Sequence, residues 1–500
     1  MSRTSIDASM SIIDLPAVLT HLFKKAQRPL LLGTEGSCKF SVRYLRRKPK
    51  RNLVVVYSVD EMRSSHKTSS NYPNHSISLI LDEHVLSGTS ICFTLAQAQE
   101  TRLELQPPGV LQASDIGLSV QAFPVDRDLP ALATCCDMTS QSPLFEALQS
   151  AAQVQLGDPA WHLIEATAQP VRYKPASRCV ISYHLQLEHL QHNAEASQRT
   201  LTLFGKIYAD PEQACNVQSL QQQLYEEQER TGEIPLLPRS LGRVDALGLT
   251  LSEAVQPSKE GKHHADGVWG ILRTGTHALR PQLERGHGGA ITKVIIPDEE
   301  LRLAAQALAH LHNSGVHPNK NGLRTGANEA KRVKERASLL ADRNPVQAEE
   351  VQRLAQELAS CLETLQPEAY RLAHGGFKPS QLLFHSQHVF VVDFDGFCLA
   401  DPALDVGYFL AYLRPAGLWY RRPGMRQWVE AAAEFFCSTY CQVTLEHGIA
   451  HTIIDSTLDR SRLYEAAFLF KIATRRVNRL NSPRPQELSA ILNEIAVNLT

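Results

Sequence analysis

The residues best able to do chemistry lie late in the chain, in His374-Gly375-Gly376-Phe377-Lys378-Pro379-Ser380-Gln381. They are followed by Leu382-Leu383-Phe384, a polar turn His385-Ser386-Gln387-His388, and Val389-Phe390-Val391-Val392-Asp393. Two short apolar runs around a polar turn predict a β-hairpin. With the turn centred near Gln387, Gln381 and Asp393 are equidistant from it, so their side chains are expected to project together at the open end. An amide oxygen and a carboxylate held there can share a hard cation such as Mg²⁺, which takes oxygen ligands and needs few of them from protein when phosphate oxygens supply the rest. Lys378, on the loop just before, offers an ammonium to an anionic ligand. On the residues alone, a hairpin closed by Asp is equally ordinary turn chemistry.

The elements that must position these residues follow from composition and pattern. The chain has 500 residues, 43% hydrophobic and 21% charged, which excludes disorder as the main state and implies about two to four domains or lobes. The formal net charge of −1 gives no overall pull toward nucleic acid or anionic membrane. The longest basic cluster, Arg46, Arg47, Lys48, Lys50 and Arg51, sits beside an apolar run and reads as a strand edge or turn. The ten cysteines show neither disulfide-framework nor zinc spacing, so a reducing, cytoplasmic setting is expected. Cys437 and Cys441, which can share a helical face, read as core rather than as metal ligands. Asp7 and Asp14 interrupt the apolar residues of Met1 to Lys25, and no stretch reaches the roughly 20 apolar residues of a membrane span.

Lys48-Pro49 before Leu53 to Tyr57, and Lys174-Pro175 before Cys179 to Tyr183, each read as a Pro-marked turn feeding a strand. An old duplication of a β-rich unit and chance recurrence of ordinary turn chemistry both account for the likeness. Cys179 to Leu187 and Leu201 to Tyr208 around a polar segment predict a second hairpin, and Pro211 to Glu229 a helix, before a short apolar run at Leu247 to Leu251. Phe123-Pro124-Val125-Asp126-Arg127-Asp128-Leu129-Pro130 reads as a turn-rich structural connector. Pro257 to Pro297 reads as a loop or insertion. Beyond it Leu301, Ala304, Ala305, Leu308 and Leu311 recur at helical spacing, and helices dominate to the closing stripe Leu488, Ile491, Leu492, Ile495 and Leu499. A β part followed by a helical part predicts an α+β protein with segregated layers.

The late segment resembles the catalytic loop and metal-binding segment of the aminoglycoside phosphotransferase and choline kinase family. That family shows His-Gly-Asp, four residues, Asn, a hairpin ending in Asp, then Asp-Pro and a further Asp. Here the last parts stand as Asp393-Phe394-Asp395 and Asp401-Pro402-Ala403-Leu404-Asp405. Phe204-Gly205-Lys206-Ile207-Tyr208 is similar to the lysine strand, Leu247 to Val255, with Glu253, to the hinge, and Ala304 to His312 to the helix before the catalytic loop. The likeness runs from about Trp161 to the C-terminus. It implies a protein-kinase-like two-lobe fold: an additional N-terminal domain at 1–150, a β-rich N-lobe at 151–256 and a helical C-lobe at 257–500.

The resemblance further implies ATP and Mg²⁺ as cofactors and a small-molecule hydroxyl as substrate, with no nucleic acid or membrane partner and with the N-terminal domain open to a protein partner. Lys206 would meet the nucleotide phosphates, Glu226 or Glu227 would orient it, and Glu253 would line the nucleotide site. Asp393 and Gln381 would hold the metal, while Lys378 would neutralise the transferred phosphoryl group beside His374. Asp405 matches the aspartate that braces the catalytic loop; Asp395 has no firm family role. The pattern departs at three places. Gly376 stands where the family has its catalytic Asp, Gln381 replaces Asn, and Ala168 to Cys179 lacks a Gly-rich phosphate loop. The chain is therefore expected to be either an impaired phosphotransferase or a pseudokinase that binds nucleotide or a partner without turnover.

Overall fold

The computed structural model describes residues 38–48, 52–61, 76–82, 104–106, 110–114, 117–139, 142–189, 197–232, 237–255, 272–318, 322–385, 387–477 and 485–500. Met1 to Lys25, Pro49, Lys50, Arg51 and residues 257–271 of the segment after Pro257 lie outside them. The chain divides into two compact units, one drawn mainly from Met1–Ala214 and Leu241–Glu253, the other from Cys215–Ser240, Ala254–Val477 and Pro483–Thr500.

The first unit is built on two antiparallel sheets. In the first, β1 (Cys38–Lys48), β2 (Asn52–Glu61), β3 (Ser76–Asp82), β4 (Glu104–Gln106), β5 (Val110–Ala113) and β6 (Leu118–Ala122) lie in the order β1-β2-β3-β6-β5-β4. In the second, β7 (Trp161–Lys174), β8 (Arg178–His189), β9 (Ser197–Tyr208), β10 (Ser240–Val244) and β11 (Leu249–Glu253) lie in the order β10-β11-β9-β8-β7. The expected hairpin is β8 with β9, Arg178 opposite Tyr208, and β7 extends it by a long strand that the sequence pattern did not reveal. Lys48 pairs with Asn52 and Lys174 with Arg178 at the ends of two antiparallel strand pairs, Pro49 lying outside the described residues.

The helix Pro143–Leu156 starts where Ser142 accepts from the Phe145 N–H at 3.2 Å and ends at Gly157 in the left-handed region. Its Leu144 and Leu148, with Leu132 and Cys135 of the short helix Leu132–Cys136, pack on Ile181, Tyr183, Leu203, Ile207 and Leu249 of the second sheet. The Tyr183 hydroxyl donates to the Cys135 carbonyl at 2.9 Å, which places its ring against Gly205 on the neighbouring strand.

The connector around Asp126 is more than a turn. The fully buried Asp126 carboxylate accepts from the Tyr173 hydroxyl at 2.7 Å and from the Ala176 and Asp128 N–H groups at 2.9 Å each. It thereby pins the β7–β8 turn, whose Ala176 sits at a φ of 54° and packs against Val54, Val56 and Ile80 of the first sheet.

The second unit is mainly helical: Asp298–His312, Gly326–Arg343, Ala348–Glu363, Ala403–Leu413, Met425–Glu446, His451–Val477 and Pro485–Leu499 are its longer helices. Asp298, Glu299 and Glu300 occupy the first turn of Asp298–His312, as its macrodipole favours. A capping box of Thr325 and Asn328 starts Gly326–Arg343. Leu488, Ile491, Leu492 and Ile495 are fully buried, Trp419 is core and Tyr420 is exposed. The segment read as a loop after Pro257 is partly structured. Arg273–Thr274 pairs with Leu383 and Phe384 of the late hairpin, and Gln282–Arg285 pairs with Ile291–Ile295. Strands this short owe their existence to partners distant in sequence, so no local period announced them. The segregated α+β character holds, and three strands (β7, β8, β9), the helix Pro211–Thr231, two strands (β10, β11) and then a mainly helical part give the element order of a protein-kinase-like fold. Among the described residues no helix is long and apolar enough to cross a membrane.

A Cβ at Gly205 would lie 2.5 Å from the Tyr183 ring and 2.9 Å from Leu249 Cδ1, both immobilised in the core. Gly205→Ala is therefore expected to cost about 1–3 kcal/mol by overpacking. Urea denaturation checks this as a lowered midpoint with unchanged slope.

Candidate active site

The late hairpin forms as Leu382–His385 against His388–Val391, with His385 opposite His388. The strand register is thus centred half a residue before the expected point. Val392 N–H donates to the Gln381 carbonyl at 3.0 Å, so Val392, not Asp393, lies across from Gln381. Asp393 follows in the left-handed region at φ 73°, and this reversal returns its carboxylate to Gln381, whose Nε2 donates to Asp393 Oδ2 at 3.0 Å. The two side chains meet by a backbone reversal rather than by register.

The loop ahead of the hairpin is held from below. Asp405, on the first turn of Ala403–Leu413 and fully buried, accepts from the Gly375 N–H at 3.3 Å and the Phe377 N–H at 3.4 Å. His312 Nε2 lies 3.6 Å from the same carboxylate, and its Nδ1 is 2.8 Å from the Tyr440 hydroxyl. Burial opposes ionisation of Asp405, but hydrogen bonding and charge from His312, then His374 and Arg324, keep its pKa below the usual carboxylate range. From above, Arg324 Nη1 donates to the Gly375 carbonyl at 2.8 Å while its Nε donates to buried Glu329 at 2.7 Å. Asp401 accepts both Nε and Nη2 of Arg460, at 2.7 and 3.1 Å, and the Ala403 N–H at 3.0 Å.

His374 is buried among Phe377, Phe394 and Phe397, and its Nε2 is 3.3 Å from the Val392 carbonyl. Burial first lowers its pKa, favouring a neutral ring whose Nε2–H donates to that carbonyl. Lys378 is half-buried at the start of the turn Pro379–Gln381, and Asp395 is half-buried in the turn Phe394–Gly396.

The two glycines of the loop differ in what they require. Gly375 has φ 66°, and a Cβ there would lie 1.9 Å from the Gly396 carbonyl oxygen, so only glycine fits. A Cβ at Gly376 would meet nothing closer than 3.8 Å, its neighbours being Gln381 and His374 Nδ1. The backbone at Gly376 admits the side chain that the sequence lacks.

Gln381 Oε1 is buried without a hydrogen-bond partner, beside a carboxylate to which its own Nε2 donates. A buried orphan acceptor of this kind is satisfied by a donor or a cation, so the amide oxygen and Asp393 fit an oxygen-seeking metal. Among the described residues no cluster of three or more His, Cys, Asp or Glu side chains forms a metal cage.

The remaining sequence candidates are placed as follows. Lys206 is half-buried on β9, paired with Val180 and Thr250, and its ammonium lies 5.2 Å from the Tyr208 ring centre. Glu253 ends β11 opposite Leu203. Glu226, exposed on the helix Pro211–Thr231, accepts from Gln222 at 2.8 Å, while Glu227 accepts from Arg230 Nε at 2.9 Å, and that hydrogen bond lowers its pKa. The β7–β8 turn Pro175-Ala176-Ser177 contains no glycine. His312, Arg324, Glu329 and Arg460 were not among the sequence candidates, and the only trace of them was the matching of His312 to the helix before the loop.

Residues 283–441 match the model of the phosphotransferase enzyme family, so the expected resemblance holds across the segment that carries this loop and hairpin. No curated protein sequence is similar enough to the chain to count as a match. Similar solved structures include the choline kinase LicA from Streptococcus pneumoniae, with 10% identity over 72% of this chain and 99% of that one and a TM-score of 0.36. An ethanolamine kinase from Plasmodium vivax shows 11% identity over 76% and 96%, TM-score 0.40. A glucosamine kinase shows 14% identity over 99% and 98%, TM-score 0.40.

Two measurements check this description. Gly375→Ala is expected to destabilise strongly, whereas Gly376→Ala is neutral or stabilising by up to about 1 kcal/mol through the unfolded chain; parallel urea titrations compare them. Glu329 is held at a pKa of about 2: burial raises it, but Arg324 and then Arg332 and Arg336 overcome that. A depressed folded-state pKa contributes stability that is complete above the unfolded value of roughly 4.3 and is lost as pH falls toward the folded value, on the order of 3 kcal/mol in all. Glu329→Gln is expected to be less stable at pH 7 and to lose much less than the parent between pH 5 and 2, as read from urea midpoints across that window.

Proposed function

We propose that this chain is an ATP-dependent phosphotransferase of the aminoglycoside phosphotransferase type, acting in the cytoplasm on a hydroxyl of a small molecule. The observation that carries the reading is the Gln381–Asp393 pair, with its orphan amide oxygen, at the end of a loop braced by Asp405. The family match over 283–441 supports it.

Gln381 Oε1 and the Asp393 carboxylate would hold Mg²⁺, which supplies charge neutralisation on the nucleotide phosphates when bound. Lys206 binds the nucleotide phosphates, Glu226 or Glu227 orients it, and Glu253 lines the nucleotide site. Lys378 offers its ammonium to the phosphoryl group in transfer, and His374, wedged between aromatic rings, keeps the loop in shape. Asp405 holds the Gly375 and Phe377 N–H groups and so fixes the position of Gly376, over which the acceptor hydroxyl lies. Phosphoryl transfer through a loose transition state depends mainly on such positioning and neutralisation.

Gly376 favours a second reading, a pseudokinase, because no carboxylate stands there to accept the hydroxyl proton. General-base assistance is worth about 10² to 10⁴ in rate. On the first reading the chain consumes ATP slowly with a pool of sugars, amino alcohols and aminoglycosides, and Gly376→Asp raises the rate by roughly that factor. Binding of ATP and Mg²⁺ in a thermal-shift assay without turnover in the parent, but with turnover in Gly376→Asp, would favour the pseudokinase. Absence of nucleotide binding in both chains would remove both readings.

A further inference from the structure

The turn between β7 and β8 is short, free of glycine and held in an uncommon shape. Pro175, Ala176 and Ser177 link Lys174 to Arg178, which pair across its neck. Ala176 has a φ of 54° and is one of three non-glycine residues at positive φ among the described residues. A side chain in the left-handed region is unfavourable, and it persists only where the surroundings over-determine it.

Asp126 is what determines it. The fully buried carboxylate accepts from the Ala176 N–H at 2.9 Å, inside the turn, and from the Tyr173 hydroxyl at 2.7 Å, on the strand just before it. Burial first, then the Asp126 charge, push the Tyr173 pKa well up, so the phenol stays a donor. The first sheet completes the support. Gln121 Nε2 donates to the Tyr173 oxygen at 3.3 Å, Gln121 Oε1 accepts from the Arg127 N–H at 3.1 Å, and Val54, Val56 and Ile80 pack with Ala176. On the other flank the Ala209 N–H donates to the Ser177 carbonyl at 3.2 Å.

The turn also stands close to Lys206 in the register of the second sheet. Arg178 pairs with Tyr208 and Val180 with Lys206, so the lysine lies two residues along β9 from the end of the sheet that carries the turn. Lys174 and Arg178 add positive charge at that same end.

We propose that Tyr173 and Asp126 are positioning residues for the nucleotide: they hold the β7–β8 turn in the shape that receives the phosphates, with the first sheet as its fixed support. The inference rests on the nucleotide-binding reading above and adds to it a role for the connector around Asp126. A glycine-rich loop loses much conformational freedom when a phosphate orders it. Here the turn is ordered during folding, so that loss does not weaken binding. The buried carboxylate thus replaces what glycine supplies elsewhere, a backbone able to adopt the left-handed region.

The test combines amide hydrogen exchange with calorimetric titration of ATP and Mg²⁺ into the full chain. In the parent, the Ala176 amide is expected to be protected roughly tenfold or more before any nucleotide is added. Tyr173→Phe keeps the ring against Phe123 and removes the hydroxyl. It is expected to speed exchange at Ala176 and to weaken ATP binding about tenfold. Circular dichroism verifies that the variant is folded. If it is not, Gln121→Met, which withdraws the amide from the Tyr173 oxygen, takes its place with the same two readouts. An Ala176 amide unprotected in the free parent, or ATP affinity within about twofold of the parent in the folded variant, would overturn the proposal and leave nucleotide binding standing. No ATP binding by the parent would overturn both.

Discussion

The buried carboxylate of Asp405 is the constraint on which the site depends. A charge taken fully out of water is tolerated only where hydrogen bonds and counter-charge replace its hydration, and here the replacements are the Gly375 and Phe377 N–H groups with His312 alongside. The same bonds that satisfy the carboxylate therefore fix the loop. Because Phe377 is buried and stacks toward Phe409 on the Asp405 helix, the loop cannot lift without exposing an aromatic ring and orphaning a carboxylate together. The hairpin then inherits a fixed origin: Gln381 follows a short helical turn from Lys378, and Asp393 returns to Gln381 by its left-handed reversal.

A second clamp acts on the opposite side of the same loop. Arg324 grips the Gly375 carbonyl, and Glu329 holds Arg324 from the first turn of a capped helix. Residue 375 is thus bonded at both its N–H and its C=O, by a side chain from the helix Ala403–Leu413 and by one from the strand Leu323–Arg324. Gly375 is the one residue type that fits between them, since any Cβ would strike the Gly396 carbonyl. The adjacent glycine is different in kind. Nothing in the packing demands it, since a Cβ at position 376 would meet nothing closer than 3.8 Å.

How much of this was legible in the sequence depends on the range of the interaction. The hairpin and its turn follow from a local period, and so does the helix carrying His312; Gln381 and Asp393 do meet, but through the left-handed reversal at Asp393 and not through the equidistance that suggested it. The half-residue shift of the turn was not legible, because the register of a short hairpin is set by turn geometry that a tally of apolar residues does not contain. The Arg324–Gly375 and Arg460–Asp401 contacts span 51 and 59 residues, and no spacing rule connects such pairs. The long strand β7 alternates imperfectly because two register shifts interrupt it, at Leu163/Glu165 and Pro170/Arg172, which hides its period from a simple count.

The balance of what is kept against what is lost bears on the proposed chemistry. Position 376 offers neither a proton acceptor nor a negative charge, and the charged side chain of residues 375–381 is Lys378. Neither point bears on the positioning supplied by Asp405, Arg324 and the Gln381–Asp393 pair, which comes from side chains elsewhere. On the proposed reading, phosphoryl transfer through a loose transition state would draw mainly on that positioning. The protein supplies no hydrogen bond to the buried Gln381 Oε1 beside the Asp393 carboxylate, and an unmet acceptor next to a carboxylate is what an oxygen-seeking cation would use, whether or not the chain turns over.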